Sequence, residues 1–163
     1  MKILVVSDSH GDSGTIRTLL DRYKHEVQTV IHLGDNAKDL MQFDSQYPTV
    51  NFVAVAGNGD YNSEFPSSRR LTIGNAVQRT VLLVHGHGQN VNMTLDRLMF
   101  FARATEVDAC LFGHTHMPFV CEHESVFFMN PGSLSQPRGG SSASYGILSV
   151  DDDGKITCEV HKV

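Results

Sequence analysis

Seven side chains of this 163-residue chain can bind a divalent metal ion and fall in short polar clusters: Asp8, His10, Asp35, Asn58, His85, His114 and His116. Two pairs are spaced i, i+2: Asp8-x-His10 in "SDSHGD" and His114-x-His116 in "GHTH". On an extended segment residues two apart project to the same side, so each pair can aim two ligand atoms into one pocket. Carboxylate, imidazole and amide oxygen without thiolate suit ions of intermediate hardness, such as Mn²⁺, Fe²⁺ or Zn²⁺. Seven groups are too many for one four-coordinate zinc. They match two ions sharing a bridging carboxylate, a centre suited to metal-assisted hydrolysis.

Such residues need elements to carry them. "KILVVS" (2–7) reads as a buried strand, rich in β-branched residues and without polar alternation. "SGTIRTLLDRYK" (13–24) reads as a helix with Ser13 as its cap and Ile16, Leu19, Leu20 and Tyr23 at helical spacing. "TVIHLG" (29–34) and "NFVAVAG" (51–57) are strands, separated by a short helix over 36–46. This β-α-β-α-β order predicts a parallel sheet with right-handed crossovers. A hairpin over 69–86 then turns at Gly74-Asn75. A helix over 91–105 and a strand over 108–113 follow, then hairpins over 118–133 and 144–163, the last turning at Asp153-Gly154. "NPGSLSQPRGGSSAS" (130–144) is a loop by composition. The expectation is a single α/β domain over 1–163, with mixed sheets flanked by helices and no internal repeat.

The candidate ligands stand where the strands end. Asp8 and His10 follow the first, Asp35 the second, Asn58 and Asp60 the third, His85 and His87 the run "TVLLV", and His114 and His116 the run "ACLF". Ligands of open α/β sheets bind at the carboxyl ends of strands. Five strand ends therefore predict one rim.

Composition narrows the classes. Hydrophobic residues make up 40% and charged residues 19%, which fits a folded domain and not a disordered chain. No run approaches the ~20 apolar residues of a membrane span. The formal net charge of −5 argues against an extended nucleic-acid face. The apolar run at the start is too short for a signal peptide. Cys110, Cys121 and Cys158 lie in apolar runs without metal-ligand spacing, so they read as reduced core residues, and the expected location is the cytoplasm.

The ordered series D-x-H, G-D, G-N, H-G-H, G-H-T-H resembles the calcineurin-like metallophosphoesterases. The short chain, the "GNGD" form of the third motif and "NPGSLSQPR" are similar to their small bacterial and archaeal phosphodiesterases. The resemblance runs from Asp8 to about Arg138. It implies a β-sandwich of two mixed sheets flanked by helices, in four layers α/β/β/α. It also implies one metal on Asp8, His10 and His116, a second on Asn58, His85 and His114, and Asp35 bridging them. The ions expected are Mn²⁺ first, with Fe²⁺, Zn²⁺ or Ni²⁺ as others. The implied reaction is hydrolysis of a small phosphate ester by a hydroxide bridging the ions, with Asp35, Asn58, His85 and His114 as catalytic residues. Larger members carry a histidine, proposed to protonate the leaving group, where this chain has Gly59. The same fold serves in eukaryotic retromer as a protein-interaction scaffold, so a non-catalytic scaffold with a retained metal site is the second reading. Hydrolysis of another bond, such as a carboxylic ester or amide, is a third. Homo-oligomerisation is left open.

Other residues carry two readings each. Asp60 is a substrate contact or a support behind the ligands. His87 contacts substrate or a ligand, or is a plain loop residue. Arg138 reaches a phosphate bidentately or faces solvent. Asp8 and Asp35 could be turn residues and His85 a core histidine, but five similar strand ends favour ligation. His32 reads as packed in the core or behind the ligands. His25, His123 and His161 read as surface residues, Arg69 and Arg70 as a solvated strand start, and Asp151 to Asp153 as a solvated turn.

Overall fold

The first strand is apolar on both faces because both faces are covered. In the computed structural model, which describes residues 1–163, Ile3 and Val5 of β1 (Lys2–Val6) point into one core while Leu4 and Val6 point into another. The chain continues through α1 (Ser13–Tyr23), β2 (Thr29–His32), α2 (Lys38–Met41) and β3 (Asn51–Ala54), and β1, β2 and β3 pair in parallel. There follow β4 (Ser68–Ile73), β5 (Arg79–Val84), α3 (Asp96–Ala104), β6 (Ala109–Leu111), β7 (Pro118–His123), β8 (Val126–Pro131), β9 (Ser144–Val150) and β10 (Ile156–Lys162). Two mixed five-stranded sheets result, ordered β10-β9-β1-β2-β3 and β4-β5-β6-β8-β7.

The layers are set by three apolar clusters. Ile3, Val5, Ile31 and Leu148 of the first sheet meet Val81, Leu83, Leu111 and Met129 of the second between the sheets. Ile16, Leu19 and Leu20 of α1 cover Leu4, Val6 and Val30 on the outer face of the first sheet. Leu98 and Ala102 of α3 cover Leu82, Val84 and Phe128 on the outer face of the second. This is the expected α/β/β/α sandwich.

Several local expectations change. The cap of α1 is Asp12 and not Ser13: its Oδ1 accepts from the Thr15 amide at 3.0 Å and its Oδ2 from the Thr15 hydroxyl at 2.7 Å. The helix expected over 36–46 shrinks to α2 and a 3-10 turn at Asp44–Gln46, because Asn36 holds a left-handed φ of 70° that no helix accommodates. The helix expected from 91 starts at Asp96, since the left-handed Asn90 (φ 60°) and turns precede it. The turn after β4 spans 74–78, and Asn130 and Pro131 belong to β8. Cys110 is buried, whereas Cys121 and Cys158 lie half-buried at the margins of their clusters; all three are free thiols. His161 is half-buried and stacks on Tyr145, with ring centroids 5.5 Å apart.

Candidate metal centre

At the rim where β1, β2, β5 and β6 end, the backbone leaves the strand conformation abruptly. Asp8 (φ 53°), His10 (44°), Asp35 (59°), His114 (68°) and His116 (59°) all adopt the left-handed region. Convergence of the i, i+2 pairs therefore comes from this coiling and not from the pleat of an extended segment, which corrects the expectation from spacing. A left-handed L-residue costs roughly 1–2 kcal/mol, so five at one rim are strain that the flanking sheets must hold. Close approach adds a second demand. A Cβ at Gly113 would collide with Ser7 Oγ and come within 2.8 Å of Asp8 Oδ2, and one at Gly57 would collide with the Asp35 carboxylate.

Asp8, His10, Asp35 and His116 each bring one ligand atom to a cluster in which these atoms lie within 4.8 Å of one another. Asp8 Oδ2 accepts from the Ser7 hydroxyl at 2.6 Å and from the His114 amide at 3.1 Å, which leaves Oδ1 facing the cluster. His116 donates Nδ1–H to the Gln136 carbonyl at 2.7 Å, so its Nε2 lone pair faces Asp8 Oδ1 at 3.1 Å. His85 donates Nδ1–H to the Leu33 carbonyl at 2.7 Å, and its Nε2 faces Asp35 Oδ1 at 3.5 Å and Asp8 Oδ1 at 3.9 Å. His10 Nε2 stands 3.3 Å from His116 Nε2 and 4.0 Å from Asp35 Oδ2.

With both Nδ1 protons committed to carbonyls, the neutral rings offer Asp8 no donor. Asp8 Oδ1 and His85 Nε2 are buried without a hydrogen-bond partner. Buried polar atoms are rarely left so. A proton or a cation between them removes the repulsion. A proton on His116 Nε2 would bond Asp8 Oδ1, and that bond raises the His116 pKa against the effect of burial. Burial alone would push Asp8 up, but the His116 bond, the His85 charge and the Ser7 hydroxyl hold it below the usual carboxylate range.

A second group of imidazoles adjoins the first. His114 packs on His85 with ring centroids 5.1 Å apart, and His87 lies 5.5 Å from His85 and 6.1 Å from His114. Burial and then the charge of His85 lower the pKa of both His114 and His87. The side-chain amide of Asn92 sits 2.8 Å from His114 Nε2. Asn58 is exposed on the turn between Gly57 and Gly59, and that turn touches Asp35 through the Gly59 amide, which donates to Asp35 Oδ1 at 2.7 Å. Arg138 is exposed and its guanidinium makes no ion pair, while its amide donates to the His116 carbonyl at 3.1 Å.

Four supports hold the rim; the sequence offered the supporting role as one of two readings for Asp60 and for His32, and gave none for Asp39 or for segment 130–136. Asp60 accepts from the amides of Asp35 (2.8 Å), Gly57 (2.9 Å) and Ala37 (3.0 Å), which clamps the loop after β2 to the turn after β3. Asp39 Oδ2 accepts from Ser9 Oγ at 2.8 Å and from the Gly11 amide at 2.7 Å. Buried His32 takes the Gly34 amide on Nδ1 (3.1 Å) and donates Nε2–H to Ser9 Oγ (2.9 Å). The segment 130–136, read as a hairpin end and a loop, is a bracket: Asn130 donates to the Gly113 carbonyl at 2.8 Å and Ser133 Oγ to the Asp8 carbonyl at 2.7 Å. The one signal for it was an asparagine and serines directly after an apolar strand.

The unpartnered Asp8 Oδ1 and His85 Nε2, the fixed tautomers and a donor set of carboxylates and imidazoles fit a divalent ion. Comparison with known proteins agrees. Residues 1–153 match the model of the calcineurin-like phosphoesterase superfamily domain, and the chain belongs to that family. It is 31% identical to the probable metallophosphoesterase YsnB of Bacillus subtilis (strain 168), over 94% of this chain and 86% of that one. It is 27% identical to the phosphodiesterase YfcE of Escherichia coli (strain K12), over 93% and 89% of the two chains. In fold it is similar to wild-type Vps29 complexed with Zn²⁺ from Entamoeba histolytica, with a TM-score of 0.75 and 24% identity over 99% and 98% of the chains.

Proposed function

We propose that the chain hydrolyses phosphodiesters with two divalent ions, Mn²⁺ by preference. Asp8, His10 and His116 would hold one ion, Asn58, His85 and His114 the other, and Asp35 both. The observation that carries this reading is the buried pair of unpartnered atoms, Asp8 Oδ1 and His85 Nε2, 3.9 Å apart at the centre of the cluster. Bound ions would supply positive charge for the phosphoryl oxygens and lower the pKa of water.

The protein's own groups shape the rest. His85 and His116 keep their Nε2 lone pairs inward by spending Nδ1–H on carbonyls. Arg138 is free to meet a phosphoryl oxygen. Gly59 offers no side chain to the leaving group, and both Asp60 oxygens are engaged by backbone amides, so this turn provides no acid. His87, beside His85 and His114, is the remaining imidazole at the rim. Esters whose leaving groups are stable as anions need that help least, which favours aryl diesters. The scaffold reading has the Vps29 likeness in its favour, a likeness of fold; the enzyme reading has all seven candidate ligands retained.

The test is to purify the protein without chelator, measure its metals, and follow hydrolysis of aryl phosphodiesters that differ in leaving-group pKa. A general acid is typically worth ~10²–10⁴-fold. In its absence the rate should depend steeply on leaving-group pKa. A protein shown to hold two ions yet hydrolysing no ester would overturn the enzyme reading. A flat dependence, with chemistry limiting, would show that an acid is present.

A further inference from the structure

Beside Asp35 the surface opens into a groove of about 400 Å³ between the start of α2 and the turn after β3. Asn36, Lys38 and the run from Gly59 to Phe65 line it, the carboxylate of Glu64 included. Its mouth is held at the candidate centre by the Gly59 amide on Asp35 Oδ1, 2.7 Å away. A Cβ at position 59 would stand 3.1 Å from that oxygen, so glycine keeps the mouth clear. Its two walls are tied together by Asp60, which binds the Asp35 and Ala37 amides on one side and the Gly57 amide on the other. The base of the groove is therefore fixed by these amide bonds.

Its lining is unusual for a surface that nothing covers. Tyr61 is 87% exposed, more than any other large hydrophobic residue, and its hydroxyl makes no hydrogen bond. Lys38 is exposed and pairs with no carboxylate. Asn36 and Asn62 sit in the left-handed backbone region, with φ of 70° and 53°. Neither side-chain amide is spent on the backbone. An aromatic face beside free amide and ammonium groups is the combination that binds a flat ring with a polar edge.

We infer that this groove receives one ester group of the substrate, and that this group carries an aromatic or heteroaromatic ring, stacked on Tyr61 with its polar edge toward Asn36, Lys38 and Asn62. The inference rests on the hydrolase reading for the position of the phosphate. It adds the chemistry of what the phosphate bears: a nucleoside or an aryl group, in preference to an alkyl or glycerol group.

The test compares ligands that share a phosphate and differ in the ring. Adenosine 5′-monophosphate and ribose 5-phosphate are titrated by calorimetry into the Mn²⁺-loaded protein, and phenyl phosphate is set against methyl phosphate. Stacking of one base on one aromatic side chain predicts at least about five-fold tighter binding of the nucleotide. Tyr61→Ala should bring the ratio close to one, and Tyr61→Phe should keep it. A preference for phenyl over methyl phosphate equal to that of the nucleotide pair identifies a simple ring as sufficient. A larger nucleotide preference that falls in Lys38→Gln or Asn62→Ala identifies a base read at its edge. Equal binding of nucleotide and ribose 5-phosphate, or a preference untouched by Tyr61→Ala, overturns the inference. Should no ester be hydrolysed while the nucleotide preference persists, the groove stands and the hydrolase reading falls.

Discussion

The side-chain amide of Asn92 lies 2.8 Å from Nε2 of His114. With the amide oxygen toward it, that nitrogen donates Nε2–H and the Nδ1 lone pair is left for an ion; with the amide N–H toward it, Nδ1 carries the proton. Groups behind a metal-bound imidazole typically change metal affinity by 10–100-fold. Asn92→Leu should weaken the second Mn²⁺ by roughly that factor and leave the first nearly unchanged. Asn92→Asp should restore or exceed the original affinity. Stepwise Mn²⁺ titration followed by calorimetry reads both. Two sites weakened equally by the leucine would contradict the assignment.

Asp35 faces His85 Nε2 with Oδ1 at 3.5 Å and His10 Nε2 with Oδ2 at 4.0 Å, so its two oxygens serve different imidazoles, whereas Asp8 faces His116 and His85 with Oδ1 alone. Asp35→Asn should therefore lower metal content and cut diester hydrolysis further than any other single ligand change, on the order of 100-fold or more. Metal at a hundredfold excess over its dissociation constant should add about 2.7 kcal/mol of stability. A melting temperature unmoved by chelator, in protein shown to have lost its metal, would count against the site.

Asp60 accepts three backbone amides and makes no other bond. Asp60→Ala strands donors that cost roughly 1–3 kcal/mol each when left unmet. The half-buried position lets water meet some of them, so the expected loss is about 2–4 kcal/mol. Asp60→Asn retains one acceptor and should lose about half as much. Urea unfolding of the three proteins, with equal slopes, checks the order.

Without metal, acid should act through opposed histidines. Burial pushes the fully buried His32 down to about 4. Below about pH 6.5 the unfolded chain takes up a proton that folded His32 refuses, so stability falls with acid, by about 2 kcal/mol between pH 6.5 and 5. His116, raised by its bond to Asp8, works the other way: its contribution is full below the unfolded value and is lost as pH rises through the folded one. Asp8, held low, contributes above the unfolded carboxylate value and loses that contribution as pH falls through its folded value. His32→Gln keeps a donor for Ser9 and removes the titration. In chelator, it should lose less melting temperature between pH 7 and 5 than the unaltered protein does. An equal or greater loss would show that His32 is not the group responsible.

How much of this could be read from the chain depends on the range of the interaction. The sandwich was legible because burial on both faces of β1 and β2 leaves continuous apolar runs, and each polar cluster directly follows such a run. Asp8, His10, Asp35 and His116, which the fold gathers, were legible for the same reason. Asp39 was not, because a carboxylate in a short helix looks solvated until Ser9 and Gly11, far away in sequence, are brought to it. Asn92 lay inside what read as a helix. The left-handed backbone at Asp8, His10, His114 and His116 has no signature in residue type, since aspartate and histidine are only mildly tolerant of it.

The partition of the candidate ligands between the sheets has a mechanical consequence. Asp8, His10, Asp35 and Asn58 extend from the sheet that holds β1, β2 and β3; His85, His114 and His116 extend from the sheet that holds β5 and β6. Any ion bound among them is fastened to both layers, so it acts as a rivet across the sandwich at one end. A pull that peels the layers apart must break coordination there before it opens the apolar seam. The opposite end, where the turns after β4 and β9 lie, is fastened differently, by the Arg79 Nε–H bond to the Gly154 carbonyl at 2.7 Å.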